Sequence, residues 1–250
     1  MNTKDIEITS LWTGEIDKPL EINIMSCFNM TFSQTKPDNY FQWKFRDNPF
    51  GESLHIIVTN KDKVISTRVF WRLDIDGIEA YQCVDTSTLP KYQGEGIFGK
   101  TTLIALQILS GKLIYNYPNK LSGPAYIKYG WEAIKDSNSI KINFTNLMLQ
   151  SVPEIDWKTK SLRWRFENNP EVRYYTMKKS EFYYIFSVKR KNLFILLGKT
   201  KFKLDLDYIK PLICFSYDNR SNGLPFYSKL PYMSKGVIEH KLYAYLFDMA

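Results

Sequence analysis

Apolar and polar residues alternate from Ile6 to Trp12, and a period of two predicts a strand. From Asp17 to Phe32 the apolar positions recur every three or four residues, which predicts a helix, and a second helix follows from Asp38 to Arg46. The turn-forming cluster Asp47-Asn48-Pro49-Phe50-Gly51 ends it. His55 to Thr59, Val64 to Ile75 and Ile78 to Asp85 read as strands, with turns at Asn60-Lys61-Asp62 and a hairpin signal at Asp76-Gly77. A glycine-rich loop spans Tyr92 to Gly99 and opens a helix that runs to Leu109. Lys112 to Tyr117 is a short apolar strand. Ser122 to Tyr129 is a helix capped by Gly130, and Trp131 to Phe144 has room for two more strands. The expected fold class is therefore α/β, with helices and a mixed sheet in one unit, residues 1–148.

The remainder, 149–250, reads as a truncated copy. Phe41-Gln42-Trp43-Lys44-Phe45-Arg46-Asp47-Asn48-Pro49 lines up with Leu162-Arg163-Trp164-Arg165-Phe166-Glu167-Asn168-Asn169-Pro170 at an offset of 121 residues. The same offset sets Ser66 on Ser187 and Arg68 on Lys189. Farther on, Tyr117-Pro118-Asn119 and Lys128-Tyr129-Gly130-Trp131 are echoed by Tyr217-Asp218-Asn219 and Lys229-Leu230-Pro231-Tyr232. A repeat this long marks a duplicated domain rather than a solenoid. The second copy is shorter between the matched anchors, and the missing stretch contains the glycine loop and its helix.

Composition narrows the function classes. Of 250 residues, 44% are hydrophobic and 24% charged, which is ordinary for a globular chain. No leader pattern follows Met1, and no apolar run is long enough to span a membrane. Cys27, Cys83 and Cys214 are scattered and odd in number, which fits a reducing compartment, so a cytoplasmic location is expected. With only His55 and His240 available, no metal site is expected. The net charge of +8 lies entirely in residues 151–250, where it forms either a solvated surface or an attraction for an anionic partner.

The chemistry concentrates in Val84-Asp85-Thr86-Ser87-Thr88-Leu89-Pro90-Lys91-Tyr92-Gln93-Gly94-Glu95-Gly96-Ile97-Phe98-Gly99-Lys100. A strand enters a glycine-rich loop that opens a helix. Glycines let backbone N–H groups approach an anion, and a helix N-terminus supplies further donors. Gly94 to Thr101 also matches the phosphate-binding pattern G-x-x-x-x-G-K-[ST], which leaves open a nucleotide- or acyl-CoA-binding module without turnover. Against a P-loop, the stretch before the loop is polar and broken by Pro90, and no later strand ends in a magnesium-holding Asp.

The stretch also resembles the acyl-CoA loop of the GNAT acetyltransferases, Q/R-x-x-G-x-G/A, with Gln93 and Gly96 in place and Phe98 where Gly or Ala is usual. Asp85-Thr86-Ser87-Thr88 is similar to the strand on which these enzymes lay the pantetheine arm. Asn119 with Pro124-Ala125-Tyr126-Ile127-Lys128-Tyr129-Gly130-Trp131 resembles their next element, an Asn followed by Tyr-x-K-x-G-F. The resemblance covers roughly residues 1–145 and implies a GNAT-like fold in tandem with a degenerate second copy, and acetyl-CoA as cosubstrate. It implies cofactor contacts at Val84, Asp85, Thr86, Gln93, Gly94, Glu95, Gly96, Ile97, Phe98, Gly99 and Asn119.

The implied reaction is N-acyl transfer to a primary amine on a small-molecule acceptor, with a protein amine as the alternative, and no nucleic-acid partner is expected. Trp43-Lys44-Phe45 with Asn48-Pro49 is similar to GNAT-like proteins of surface-sugar biosynthesis, which points to an amino sugar or nucleotide-sugar. Tyr126 matches the tyrosine that protonates the leaving thiolate, with a packing role as its alternative. Backbone N–H groups near Val84 and Asp85 would polarise the thioester carbonyl. Asp85, Glu95, Glu79 and Glu132 are candidate bases, and a water chain is the alternative. Cys83 reads as a small core residue rather than a nucleophile.

Overall fold

A computed structural model describes residues 5–75, 77–118, 122–133, 140–189, 193–216, 224–227 and 233–235. Its contacts divide the chain into two compact units. The first takes Met1–Asn116, Lys120–Glu132 and Ser234–Val237, and the second Tyr117–Asn119, Ala133–Met233 and Ile238–Ala250. Each unit thus joins segments that are separated in sequence. His240 and the second pair of repeat anchors, Tyr217-Asp218-Asn219 and Lys229-Leu230-Pro231-Tyr232, lie outside the described residues.

In the first unit β1 (Ile6–Trp12), β2 (Leu54–Asn60), β3 (Lys63–Arg72) and β4 (Ala80–Thr88) form an antiparallel run, and β4 continues parallel to β5 (Leu113–Asn116). The seven-stranded order is β1-β2-β3-β4-β5-β14-β6, with β6 at Glu132–Ala133 and β14 at Met233–Lys235. The polar run after Val84 stays in the sheet to Thr88 because its hydroxyls satisfy one another. Ser66 donates to the Ser87 carbonyl at 2.7 Å, and the Thr67 and Ser87 hydroxyls meet at 2.9 Å.

Helix α1 (Lys18–Phe32) starts where the Asp17 carboxylate accepts from the Leu20 N–H at 2.9 Å, and it buries Ile24, Cys27 and Phe28 against β3 and β4. The expected helix to Arg46 is a π-helical turn, Gln42–Arg46, closed by the Asp47 N–H on the Gln42 carbonyl at 2.9 Å. That wide turn sends Trp43, Lys44 and Phe45 all into the interior. Helices α2 (Ile97–Ile108) and α3 (Gly123–Lys128) complete the unit, and Gly130 closes α3 at φ 76°.

The second unit repeats the scheme. A π-turn at Arg163–Glu167 buries Trp164, Arg165 and Phe166, and the Asn169 side chain accepts from the backbone that follows, as Asn48 does. Its sheet has the order β11-β8-β9-β10-β12-β7-β13. The strands are β7 (Ile140–Phe144), β8 (Tyr174–Lys179), β9 (Phe182–Lys189), β10 (Leu193–Thr200), β11 (Asp207–Tyr208), β12 (Ile213–Ser216) and β13 (Leu224–Tyr227). Between β10 and β12 there is no helix, only the two-residue β11.

His55 belongs to the core of the first unit. It is 1% exposed, its Nε2 lies 3.1 Å from the Thr13 hydroxyl, and its ring packs on Phe41 and Phe45. Burial pulls its pKa down to about 3. The unfolded chain therefore takes up a proton below its ordinary value of about 6.5 that the folded chain refuses. Stability from this group is complete above about pH 6.5 and falls by about 1.4 kcal/mol per pH unit toward pH 3. Denaturant midpoints measured from pH 7 to pH 4 should show this slope in the wild type and lose it in His55→Phe; equal slopes in both would remove His55 as its source.

Candidate active site

Two residues of β4, Asp85 and Thr86, stand against the single residue Arg68 of β3. Val69 pairs with Val84 and Thr67 with Ser87, which leaves a bulge between them. Asp85 sits there at φ 45°, a left-handed conformation that few side chains adopt. Pairing of β4 with β5 runs only through Ala80↔Leu113, Tyr81↔Ile114 and Gln82↔Tyr115. From Cys83 to Thr88 that edge of β4 has no strand beside it among the described residues, so its outward N–H and C=O groups face a gap.

The bulge is held from the α1 side. The Asp85 carboxylate accepts from Lys44 Nζ at 2.9 Å and from the Tyr40 hydroxyl at 2.9 Å, and Lys44 Nζ also donates to Tyr40 Oη at 2.6 Å. Lys44 is 2% exposed and lies over the Tyr40, Phe45 and Trp71 rings. Asp85 is thus tied up in an ion pair. Glu79 is bonded to Lys112 and the Tyr81 hydroxyl, which hold its carboxyl below the usual range, with Lys112 the larger cause. Glu95 and Glu132 are exposed.

Beyond Thr88 the chain makes a short 3-10 turn, Pro90–Tyr92, and the Gln93 side chain donates back to the Thr88 carbonyl at 3.0 Å. Gly94 and Gly96 adopt φ 85° and 72°, and a Cβ on either would meet nothing within 4 Å. The open space lies at the start of α2, whose first N–H groups have no partner within the helix. This is a cradle that fits a pyrophosphate. Ile97 is buried beneath it. Phe98 turns away from the cradle and packs edge-on against Tyr126, with ring centroids 5.6 Å apart. Gly99 lets α2 approach α3, because a Cβ there would lie 2.0 Å from the Tyr129 hydroxyl. Asn119 lies outside the described residues.

A P-loop reading finds little to stand on. The Thr101 hydroxyl, which would face a magnesium ion, donates to the Ile97 carbonyl at 2.9 Å and is 1% exposed. The strand before the loop is flanked by an antiparallel neighbour, β3, rather than by a parallel NTPase sheet.

Tyr126 is 3% exposed. Its hydroxyl accepts from Arg68 Nη2 at 3.2 Å, and the same nitrogen approaches Cys83 Sγ at 4.0 Å, at the point where β4 leaves β5. Burial pushes the Tyr126 hydroxyl well above its ordinary range and the Cys83 thiol up to about 11, so Cys83 is a protonated, unreactive thiol. Sequence reading singled out neither Arg68 nor the pairing of Lys44 with Asp85. The available signal was a cation in the middle of β3, in a run otherwise fit for burial.

Among the described residues no helix is long and apolar enough to cross a membrane, and no group of three or more His, Cys, Asp or Glu side chains could hold a metal ion.

No protein-family model and no curated protein matches the sequence. Solved structures do match the fold. A conserved protein of unknown function from Enterococcus faecalis V583, described as a probable N-acyltransferase, superposes with a TM-score of 0.59 at 13% identity, covering 93% of this chain and 73% of that one. A GCN5-related N-acetyltransferase from Kribbella flavida gives 0.55 at 9% identity, covering 94% and 72%. The chain has the fold of the GCN5-related N-acetyltransferases, in a mixed α/β form.

The buried ion pair yields a direct test. Lys44→Met strands the Asp85 carboxylate and should cost about 3–5 kcal/mol, whereas adding Asp85→Asn should recover most of it. Chemical denaturation of the two variants decides the matter; a double variant no more stable than the single would show that the pair does not act as a unit.

Proposed function

We propose that the chain is an N-acyltransferase that moves an acetyl group from acetyl-CoA to a primary amine on a small molecule. One observation carries this reading: β4 parts from β5 after Gln82, with the Tyr126 hydroxyl where the gap begins and the glycine cradle beyond the strand's end. Residues 1–148 are the catalytic copy in this reading and residues 149–250 the truncated one.

The backbone of Gly94, Glu95, Gly96, Ile97, Phe98 and Gly99 receives the pyrophosphate, with Gln93 bracing the loop. The outward edge of Val84, Asp85 and Thr86 takes the pantetheine arm and polarises the thioester carbonyl. Tyr126 gives its proton to the departing thiolate. With Asp85 and Glu79 paired and Glu95 and Glu132 exposed, the amine proton leaves through water.

The acceptor we propose carries an anionic group, as an amino sugar linked to a nucleotide does. Its support is the net +8 charge of residues 151–250, which would repel a polyamine. The reaction is placed in the cytoplasm, where acetyl-CoA is made and buried thiols stay reduced.

The second copy is proposed to bind no coenzyme A. In its unit, β10 carries the counterpart of the β4 bulge, between Leu196 and Gly198. The outer edge there is already filled by the chain itself: the Lys199 N–H donates to the Pro153 carbonyl at 3.0 Å, and the Ile155 N–H to the Lys199 carbonyl at 2.8 Å. The Ile155 side chain leaves no room for a Cβ on Gly198, which would lie 2.6 Å from it.

Coenzyme A at about 100-fold over its dissociation constant should add roughly 2.7 kcal/mol to stability, read as a thermal shift. Gly96→Trp should abolish that shift. Stabilisation by Mg-ATP in place of coenzyme A would sink the assignment, and two equivalent sites by calorimetry would sink the one-site reading.

Tyr126→Phe should leave coenzyme A affinity unchanged and lower turnover by roughly 10²-fold. Unchanged release of free thiol from acetyl-CoA, with an amine confirmed as acceptor, would take Tyr126 out of the mechanism.

A further inference from the structure

Arg68 is 1% exposed on β3 and makes no ion pair among the described residues. Among the described residues its Nε and Nη1 have no hydrogen-bond partner. Only Nη2 is used, donating to Tyr126 Oη at 3.2 Å and approaching Cys83 Sγ at 4.0 Å. Phe98 from α2 lies 4.2 Å from the guanidinium carbon, with the Tyr126 and Phe70 rings at 5.3 and 5.4 Å. The neighbouring cations are treated differently. Lys44 has Asp85, Arg46 has Glu21, and Arg72 has Asp74.

A buried guanidinium held only by aromatic faces and one phenol is poorly compensated for its lost hydration. Such a group stabilises nothing by itself and persists where a negative charge arrives during function. In the proposed reaction one does arrive. The amine nitrogen attacks the carbonyl carbon, the carbon–sulfur bond breaks, and its electron pair stays on sulfur. Tyr126 passes its proton to that sulfur and is left as a phenolate, which regains a proton from the water that took the amine's. The Arg68 N–H occupies the Tyr126 oxygen as acceptor, so the phenol hydrogen points away from Arg68. Cys83 Sγ, on the strand edge where the gap begins, lies 4.0 Å from the same Arg68 nitrogen.

We infer that Arg68 is a positioning residue of the acetyl-transfer site: it aims the Tyr126 hydroxyl at the departing sulfur and carries the countercharge for the anion that the Tyr126–sulfur pair shares. The inference rests on the acetyl-transfer reading and adds to it the cation that stands beside the buried tyrosine. Burial raises the Tyr126 hydroxyl and Arg68 opposes that rise. The titratable groups facing Arg68 are Tyr126 from α3 and Cys83 from β4; Phe98 and Phe70 contribute no charge.

The test compares coenzyme A with desulfo-coenzyme A, by calorimetry from pH 7 to pH 9.5, in the wild type, Arg68→Met and Arg68→Lys. A site that favours negative charge at the sulfur should bind coenzyme A increasingly better than the desulfo compound as pH rises. The expected rise is about tenfold, the ratio carried by one unit of thiol pKa. Arg68→Met should flatten the profile while melting no lower than the wild type, since it removes a poorly compensated buried charge. Arg68→Lys keeps the charge and should keep the rise.

A flat wild-type profile with coenzyme A bound overturns the inference, as does an unchanged rise in Arg68→Met or a flat profile in Arg68→Lys. Arg68→Met melting well below the wild type would mark Arg68 as structural and overturn it too. If the wild type binds neither compound, it is the acetyl-transfer reading that has failed.

Discussion

The extra residue in β4 is the constraint on which the first unit's site depends. Asp85 and Thr86 oppose Arg68 alone, and a two-against-one mismatch bends a strand and sharpens its twist. The bend takes β4 away from β5 after Gln82 and opens the gap. It is not free, because Asp85 is left-handed, at a cost of about 1 kcal/mol or more. Lys44 and Tyr40 hold the carboxylate in place, and Lys44 is turned inward by a π-helical turn rather than an ordinary helix. A local irregularity in one helix thus supports an irregularity in one strand, and the gap beside β4 goes with both.

The two units show what such a gap needs in addition. Both bend the corresponding strand, and both carry the π-turn with its buried Trp, cation and Phe. In the first unit the bent strand leads into a glycine loop and α2, so the edge it exposes lies next to the unpartnered N–H groups of a helix start. In the second, β10 reaches β12 with no helix between, and Pro153 to Ile155 pair with the exposed edge. An unpaired strand edge buried away from water is costly, so one left without a ligand tends to be covered by the chain itself.

Buried polar groups are distributed to match. His55 is kept neutral by burial, with one nitrogen on Thr13, and serves packing. Lys44 meets a carboxylate. Arg68 meets none among the described residues and lies against the Tyr126 phenol at the gap. Three buried nitrogen groups in one unit thus have three solutions, and the last is the one the proposed reaction would complete.

What the sequence determined by itself is local. The Asp17 cap, the hairpin signals, the Gly130 stop and the Gln93–Gly99 loop were all legible, because helix caps and left-handed glycines depend on a few neighbouring residues. The recurrence of Trp43-Lys44-Phe45 as Trp164-Arg165-Phe166 was legible as well. The tertiary structure decided the rest. That β14 stands between β5 and β6 while β7 stands between β12 and β13 follows from strand pairing between distant segments, which leaves no periodicity in either one. The bulge opposite Arg68, the ion pair across 41 residues from Lys44 to Asp85 and the approach of Arg68 to Tyr126 across 58 are of the same kind. Each is set by which side chains meet once the sheet has formed, and a charged residue inside an apolar strand announces only that it must meet something.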